Sequence, residues 1–437
     1  MSANPTELVT RLRVPVRAGL TRPLAWRTHQ LQRLRALLTE CGPDIAAALH
    51  EDLHKPEKEA YDYEIDFTVR EIDHLLSHLE TWLTPESVPA SGYGYPDGTT
   101  AATRYDPLGV VLVIGTWNYP VQLLLAPIAG ALAAGNTVVA KPSDIAEATS
   151  ALFGQLLPQY FDADTLVVVE GGVPETTALL AEPFDHIFFT GGAAVGRIVM
   201  TAAAAQLTPV TLELGGKSPA FVDRDTDLTE VAARLTATKF SNAGQTCVAP
   251  DYVLTDPDTA SALAAALTDA VAERFGSDPA TSTHYGRIVS QRHFDRLVPL
   301  LDSGRLVTGG KHDRDRNYIA PTVLTDVAAD SPVMQQEIFG PILPIVLVAD
   351  LDHAIEFITD RDKPLALYVF TESDTTRERL ITETSSGGIS FGLPMAQLRD
   401  SDLPFGGVGA SGMGHYHGRY SLETFSHKKA ILHVPLT

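Results

Sequence analysis

From about residue 109 the chain stops reading as amphipathic helix and turns to short apolar runs separated by helical segments. That change of period constrains the fold more than any other feature. Val110-Val111-Leu112-Val113-Ile114, Thr137-Val138-Val139-Ala140, Leu166-Val167-Val168-Val169 and His186-Ile187-Phe188-Phe189 are apolar almost throughout. Strands without polar alternation are buried on both faces, as in a parallel sheet with helices on either side. The segments between them, 121–134, 146–157, 175–181 and 195–205, read as the crossover helices of a doubly wound sheet.

A second α/β block follows. Strands are expected at 210–212, 219–222, 252–254, 342–348 and 365–370, with helices at 228–240, 259–275 and 351–359. Ahead of both blocks, 26–53 and 57–82 repeat apolar residues at every third or fourth position and read as helices. A Gly/Pro/Ser-rich stretch, 87–100, ends that pattern. At 437 residues the chain is expected to fold as two or three closely packed domains.

Composition removes several function classes. A formal charge of −21 opposes binding to nucleic acid or anionic membranes, which needs clustered Lys and Arg. The two cysteines, Cys41 and Cys247, cannot build a disulfide framework, so a reducing compartment is expected. Met1-Ser2-Ala3-Asn4-Pro5 lacks a basic region leading into an apolar run, and the C-terminus carries no apolar anchor. The longest apolar stretch, 121–134, is interrupted by Gln122 and Pro127 and is too short to span a bilayer. A soluble cytoplasmic protein without a membrane anchor is the expectation. His415-Tyr416-His417 lacks the partner acids and cysteines of a metal site, so no metal is expected.

Cys41, in Glu40-Cys41-Gly42-Pro43, reads as a residue ending a helix. Cys247 differs. It closes the small polar loop Ser241-Asn242-Ala243-Gly244-Gln245-Thr246-Cys247, where a thiol is more reactive than packed in a core. Glu213 stands between Leu212 and Leu214 ahead of Gly215-Gly216, and apolar surroundings raise a carboxyl toward the range of a general base. Asn118, just past the strand 110–114, offers a neutral amide to an oxyanion. Glu337, followed by Ile338-Phe339-Gly340-Pro341, is a second acid among apolar residues.

Thr190-Gly191-Gly192-Ala193-Ala194-Val195-Gly196 follows a strand and opens a helix. Such a turn lets backbone N–H groups approach a pyrophosphate, although an ordinary tight turn reads the same way. Lys141-Pro142-Ser143-Asp144 ends the strand 137–140, where α/β sheets bind ligands and an acid can accept ribose hydroxyls. A literal G-x-G-x-x-G at 407–412 follows Pro404-Phe405 rather than a buried strand, and is expected to play no nucleotide role.

Taken in order, Thr116–Pro120, Lys141–Ser143, Phe189–Gly191, Thr208–Lys217, Gly244–Tyr252, Glu337–Pro344, Pro404–Gly409, Ser411–Gly418 and Glu423–His427 resemble the class 3 (fatty, aromatic and coniferyl aldehyde) branch of the aldehyde dehydrogenase superfamily. The likeness runs from about Leu31 to the C-terminus. It implies the aldehyde dehydrogenase fold: a Rossmann-like cofactor domain (1–82 plus 105–211), an α/β catalytic domain (212–393), and a small β oligomerisation extension (83–104 plus 394–437) pairing a homodimer. It also implies Cys247 as nucleophile, Asn118 as oxyanion donor and Glu213 as the base that activates water. Glu337 and Phe339 would lie at the nicotinamide end. Lys141, Ser143 and Asp144 would lie at the adenine ribose, with Thr190, Gly191, Gly192 and Gly196 near the pyrophosphate.

The implied reaction is NAD(P)-dependent oxidation of a medium- or long-chain aliphatic or aromatic aldehyde to the acid. Asp144, where the branch usually has glutamate, implies NAD preference with some NADP use. Two departures stand out. Gly192 replaces a common serine or asparagine, and 389–397 lacks the Asn-Asp and later His usual near the substrate mouth. A CoA-acylating enzyme of the same fold, a thiol esterase and a non-catalytic crystallin-like protein are the competing readings. Glu213 argues against the first, and the intact Asn118/Glu213/Cys247 set against the last.

Overall fold

A computed structural model describes residues 4–90 and 94–436. Expectations touching residues 1–3, 91–93 and 437, including part of the N-terminal reading and of the bridging segments, lie outside the described residues. The strand order explains where a ligand can enter. Six strands form the first sheet in the order Gly412–Met413, Val210–Glu213, His186–Thr190, Val110–Ile114, Thr137–Lys141 and Leu166–Val168. All neighbours are parallel except the short Gly412–Met413 edge. The chain builds outward from Val110–Ile114 in one direction, then returns to add His186–Thr190 on its other side. A crevice opens beyond the carboxyl ends of strands at such a reversal.

The four core strands Val110–Ile114, Thr137–Lys141, His186–Thr190 and Val210–Glu213 are buried at nearly every residue, as their apolar composition requires. Helix Gln122–Ala133 is buried along almost its whole length. Its all-round apolar surface is that of a helix packed on every side.

The second sheet has seven strands in the order Arg305–Thr308, Thr322–Thr325, Ile342–Leu347, Tyr252–Thr255, Pro219–Val222, Ala366–Phe370 and Gly388–Phe391. Only Arg305–Thr308 runs antiparallel to its neighbour. A third, three-stranded antiparallel sheet joins Glu86–Val88, Thr100–Pro107 and Ser426–His433. Much of it is exposed. Two expected domain limits fall inside strands: residue 105 lies within Thr100–Pro107, and residue 212 within Val210–Glu213.

The helical N-terminal region holds Pro5–Arg17, Leu24–Glu40, Gly42–Leu53, Glu57–Ala60 and Asp66–Leu83. Pro5–Arg17 was not legible from periodicity. It is capped by Asn4, whose side chain accepts from the Thr6 N–H, and it places Leu8, Val9 and Leu12 against the first sheet. Cys41 ends Leu24–Glu40, as expected. A single π turn, Tyr61–Ile65, interrupts the run before Asp66–Leu83, and such turns tend to mark functional sites. Among the described residues no helix is long and apolar enough to cross a membrane.

Candidate active site

The strand Val210–Glu213 delivers Glu213 to the carboxyl end of the first sheet. Its side chain is buried, and neither oxygen has a partner among the described residues. Burial alone pushes this carboxyl well above the ordinary range. The Gly-rich segment 407–412 braces that strand. Gly412 pairs with Glu213 in antiparallel register, and Leu214 N donates to Ser411 O at 3.1 Å. A Cβ at Gly407 or Gly412 would collide with backbone, so these glycines permit close chain approach.

Cys247 comes at the end of an unusual loop. After helix Leu228–Lys239 the backbone holds Asn242, Ala243 and Gly244 at φ 50, 52 and 75°. Asparagine and glycine tolerate this region, whereas an alanine there costs roughly 1–2 kcal/mol. A Cβ at Gly244 would strike the Gly340 carbonyl. A surrounding set of buried polar groups holds the loop in place. Asn242 N donates to Glu59 Oε2 at 2.9 Å, and Asn242 Nδ2 to Asn118 O at 2.9 Å. Gln245 Nε2 donates to Asn242 O and Arg287 O, and its Oε1 accepts from Val289 N at 3.0 Å.

Asn118 closes this network. Its Nδ2 donates to Gln245 O at 3.0 Å, which leaves one of the amide's two hydrogens uncommitted. Its carbonyl accepts from Lys55 Nζ at 2.9 Å. Lys55 is fully buried and ion-paired with Glu64. The other Glu64 oxygen accepts from Val121 N at 2.8 Å and Gln122 N at 3.2 Å. Tyr119 Oη and Thr246 Oγ1 share a hydrogen bond of 2.9 Å.

Cys247 lines a cavity of about 370 Å³ together with Phe67, Tyr119, Leu123, Met395 and Phe405. Burial raises the thiol pKa most, and the nearby charges of Glu337 and Glu213 raise it further. The N–H groups of Cys247 and Val248 pull the other way. A thiol held neutral needs a base to ionise it, and Glu337 and Glu213, whose charges bear on it, are the candidates.

Glu337 sits over Gly215, where a Cβ would collide with its carboxylate. Burial, then Asp251, pushes Glu337 up to about 8, against the Gly216 N–H, Lys217 and Arg296. Its Oε1 has no partner. Lys217 Nζ is held by Asp251 Oδ2 at 2.5 Å and by the carbonyls of Val333 and Gln336. Phe339, at φ 48°, meets the Trp117 ring edge-on with centroids 5.3 Å apart. A larger cavity of about 740 Å³ is lined by Gly215, Glu337, Ala193 and Arg197.

Lys141 ends the strand Thr137–Lys141, and Ser143 and Asp144 follow just past it. The Lys141 ammonium donates to Pro142 O at 2.7 Å. Burial lowers its pKa, while Asp144, Glu175 and Glu170 raise it. Asp144 is exposed. Gly191 N donates to Glu213 O at 3.0 Å, which ties this turn to the strand Val210–Glu213. Side chains at Gly191 or Gly196 would meet Phe189 or Leu214, whereas Gly192 faces open space at the start of helix Ala193–Ala204. The buried Thr190 Oγ1 lacks a partner among the described residues. Unpartnered Thr190 and Glu337 oxygens, a glycine-floored turn and a helix N-terminus form a donor set that fits a dinucleotide.

His417, from the discarded metal motif, stacks on Phe405 and is pushed down to about 3 by burial. Sequence reasoning missed Lys55, Glu59, Glu64, Asn242 and Gln245 as supports of the site. Lys55 falls in a polar turn, and the two glutamates lie in the helical segment 57–82. Lys55 and Glu64 pair nine positions apart, but the groups they and Glu59 hold in the site are 57 to 183 positions away, so no local pattern marks their role.

The sequence profile of the aldehyde dehydrogenase family matches residues 20–431. The chain is 48% identical over 431 residues to the dog protein "aldehyde dehydrogenase, dimeric NADP-preferring", covering 99% of this chain and 95% of that one. It is 49% identical over 426 residues to human aldehyde dehydrogenase family 3 member B1, covering 98% and 91%. The substrate-bound structure of Staphylococcus aureus AldH superimposes with a TM-score of 0.95 at 42% identity, covering 98% of this chain and 93% of that one.

Proposed function

This chain belongs to the aldehyde dehydrogenase family, and from that premise we propose that Cys247, Glu213 and Asn118 oxidise an aldehyde to its carboxylic acid by way of a thioester. The observation that carries the proposal is Glu213: a buried carboxyl with both oxygens unpartnered, whose charge bears on the Cys247 thiol. A carboxyl kept that way without a catalytic task would only destabilise the fold.

Cys247 gives up its proton to a neighbouring carboxylate, and its sulfur adds to the aldehyde carbon to form a thiohemiacetal. The uncommitted hydrogen of Asn118 Nδ2 and the Cys247 N–H are the donors for the oxyanion, each worth about 2.7–4 kcal/mol in such a role. NAD(P), when bound, supplies the acceptor for the hydride that leaves this carbon. Collapse of the oxyanion leaves a thioester on Cys247. Glu213 then takes a proton from water, the hydroxide adds to the thioester carbonyl, and the C–S bond breaks to release acid and thiol.

Glu337 and Phe339 would hold the nicotinamide end of the cofactor. Thr190, Gly191, Gly192 and Gly196 would hold the pyrophosphate, and Lys141, Ser143 and Asp144 the adenine ribose. The exposed carboxylate of Asp144 favours NAD by repelling a 2′-phosphate. The dog relative's name, NADP-preferring, makes this a sharp point of difference. Aromatic and aliphatic walls around Cys247 suit medium- or long-chain aliphatic and aromatic aldehydes.

We assign cofactor binding to 1–82 plus 105–211, catalysis to 212–393 and subunit bridging to 83–104 plus 394–437. The exposed three-stranded sheet supports a homodimer, as does the word "dimeric" in the dog relative's name. A cytoplasmic location suits the two unpaired cysteines. Cys247→Ala is expected to lower kcat/KM at least 10⁴-fold, on the order of other nucleophile deletions. Residual oxidation within tenfold of wild type would refute the mechanism. With CoA present the product should still be free acid, and acyl-CoA as the main product would favour the acylating alternative.

A further inference from the structure

We propose that Arg70 and Arg399 form an anion-recognising pair at the mouth of the Cys247 cavity, selecting aldehydes that carry a second, negatively charged group, a carboxylate, at the far end. The inference rests on the reading of Cys247 as the nucleophile and names a substrate class for that site.

Both guanidiniums line the same 370 Å³ cavity as the Cys247 side chain. They arrive from distant parts of the chain. Arg70 projects from the second turn of helix Asp66–Leu83, and Arg399 ends the short turn Ala396–Arg399. The π turn Tyr61–Ile65 orients both. Arg70 Nη2 donates to the Asp62 carbonyl at 3.2 Å, and the Arg399 guanidinium lies 5.9 Å from the Tyr63 ring centroid. Among the described residues neither pairs with a carboxylate. Asp62, the one acid on this rim, has its carboxylate held by Lys58 at 2.6 Å. Asp402, beyond Arg399, instead faces His74 Nε2 at 3.3 Å.

The charge balance makes this placement unusual. The chain holds 54 acidic and 33 basic side chains, so a rim with two uncommitted arginines and one neutralised acid runs against the average. Arg70 and Arg399 are exposed, whereas Leu123, Met395 and Phe405 of the same lining are buried and apolar. A ligand matching this layout has an uncharged reacting end, an apolar middle and an anionic tail. Planar guanidiniums suit a carboxylate tail, which can accept paired hydrogen bonds. Arg399 lies two residues past the 389–397 segment that departs from the class 3 pattern, and Met395 of that segment lines the same cavity.

The test compares 4-carboxybenzaldehyde with the neutral 4-formylbenzamide, which has nearly the same shape, and 6-oxohexanoate with 6-oxohexanamide. The readout is the ratio of kcat/KM, charged over neutral, in wild type, Arg70→Gln, Arg399→Gln and the double variant. Intrinsic reactivity cancels when these ratios are compared between enzymes. The expected result is a wild-type ratio that falls about tenfold in the double variant, carried in KM, and that also falls on raising salt from 0.1 to 1 M. A ratio unchanged by both substitutions overturns the proposal while leaving aldehyde oxidation at Cys247 intact. A wild-type enzyme inert toward all four aldehydes would overturn the reading of Cys247 itself, and the proposal with it.

Discussion

The crevice proposed for the cofactor and the Cys247 loop both adjoin Glu213 and are built by opposite means. The crevice is made of strand ends and short turns. Lys141 ends one strand, Thr190 another, and Gly192 opens a helix with empty space beside it. Each feature is local, and Asp144 is exposed. The catalytic loop is irregular and buried, with three consecutive residues at positive φ. Lys55, Glu59 and Glu64 from the N-terminal helical region hold it from outside. A binding surface can be assembled from local turns that a ligand will finish ordering. A nucleophile must be placed to a fraction of an ångström before substrate arrives, which takes an over-determined network.

Lys55→Met should have the largest effect on this contrast. It strips the fully buried Glu64 of its counter-charge, and breaking such a pair costs about 3–5 kcal/mol. Urea unfolding should register that loss, and kcat should fall with it because Asn118 O loses one of its two donors. If Lys55→Met left both stability and kcat within twofold of wild type, the loop would not depend on its remote supports. Asp144→Ala should have a smaller and different effect. Unfolding should be unchanged, while the ratio of kcat/KM with NAD to that with NADP shifts toward NADP by about tenfold, or roughly 1.4 kcal/mol. A loss of stability in this variant would show the crevice to be as tightly braced as the loop.

The same contrast governs what the sequence made legible. Strands 110–114, 137–140 and 186–189 were readable because burial on both faces writes a continuous apolar run. Each was placed to within a residue at its ends. Cys247, Glu213, Glu337 and the 190–196 turn stood out because chemistry-bearing residues fell in unexpected company. The strands Arg305–Thr308 and Thr322–Thr325 were missed, being short, and Arg305–Thr308 is exposed at the sheet edge. Helix Pro5–Arg17 was missed because charged residues and Pro15 interrupt its apolar stripe. Lys55 and Glu64 could not be recognised at all. A buried ion pair looks in sequence like two ordinary surface charges until the fold brings Asn118 between it and the cysteine loop.

The central claim is that Glu213 activates the water that releases a Cys247 thioester, and trapping that thioester tests it most directly. Glu213→Gln, mixed with a good aldehyde and NAD, should release one equivalent of NADH in a burst and then stall. Intact-mass and peptide mass spectrometry should find the acyl group on the peptide containing Cys247, present at near one per chain. Steady turnover at the wild-type rate, with no acyl group on Cys247, would contradict the account.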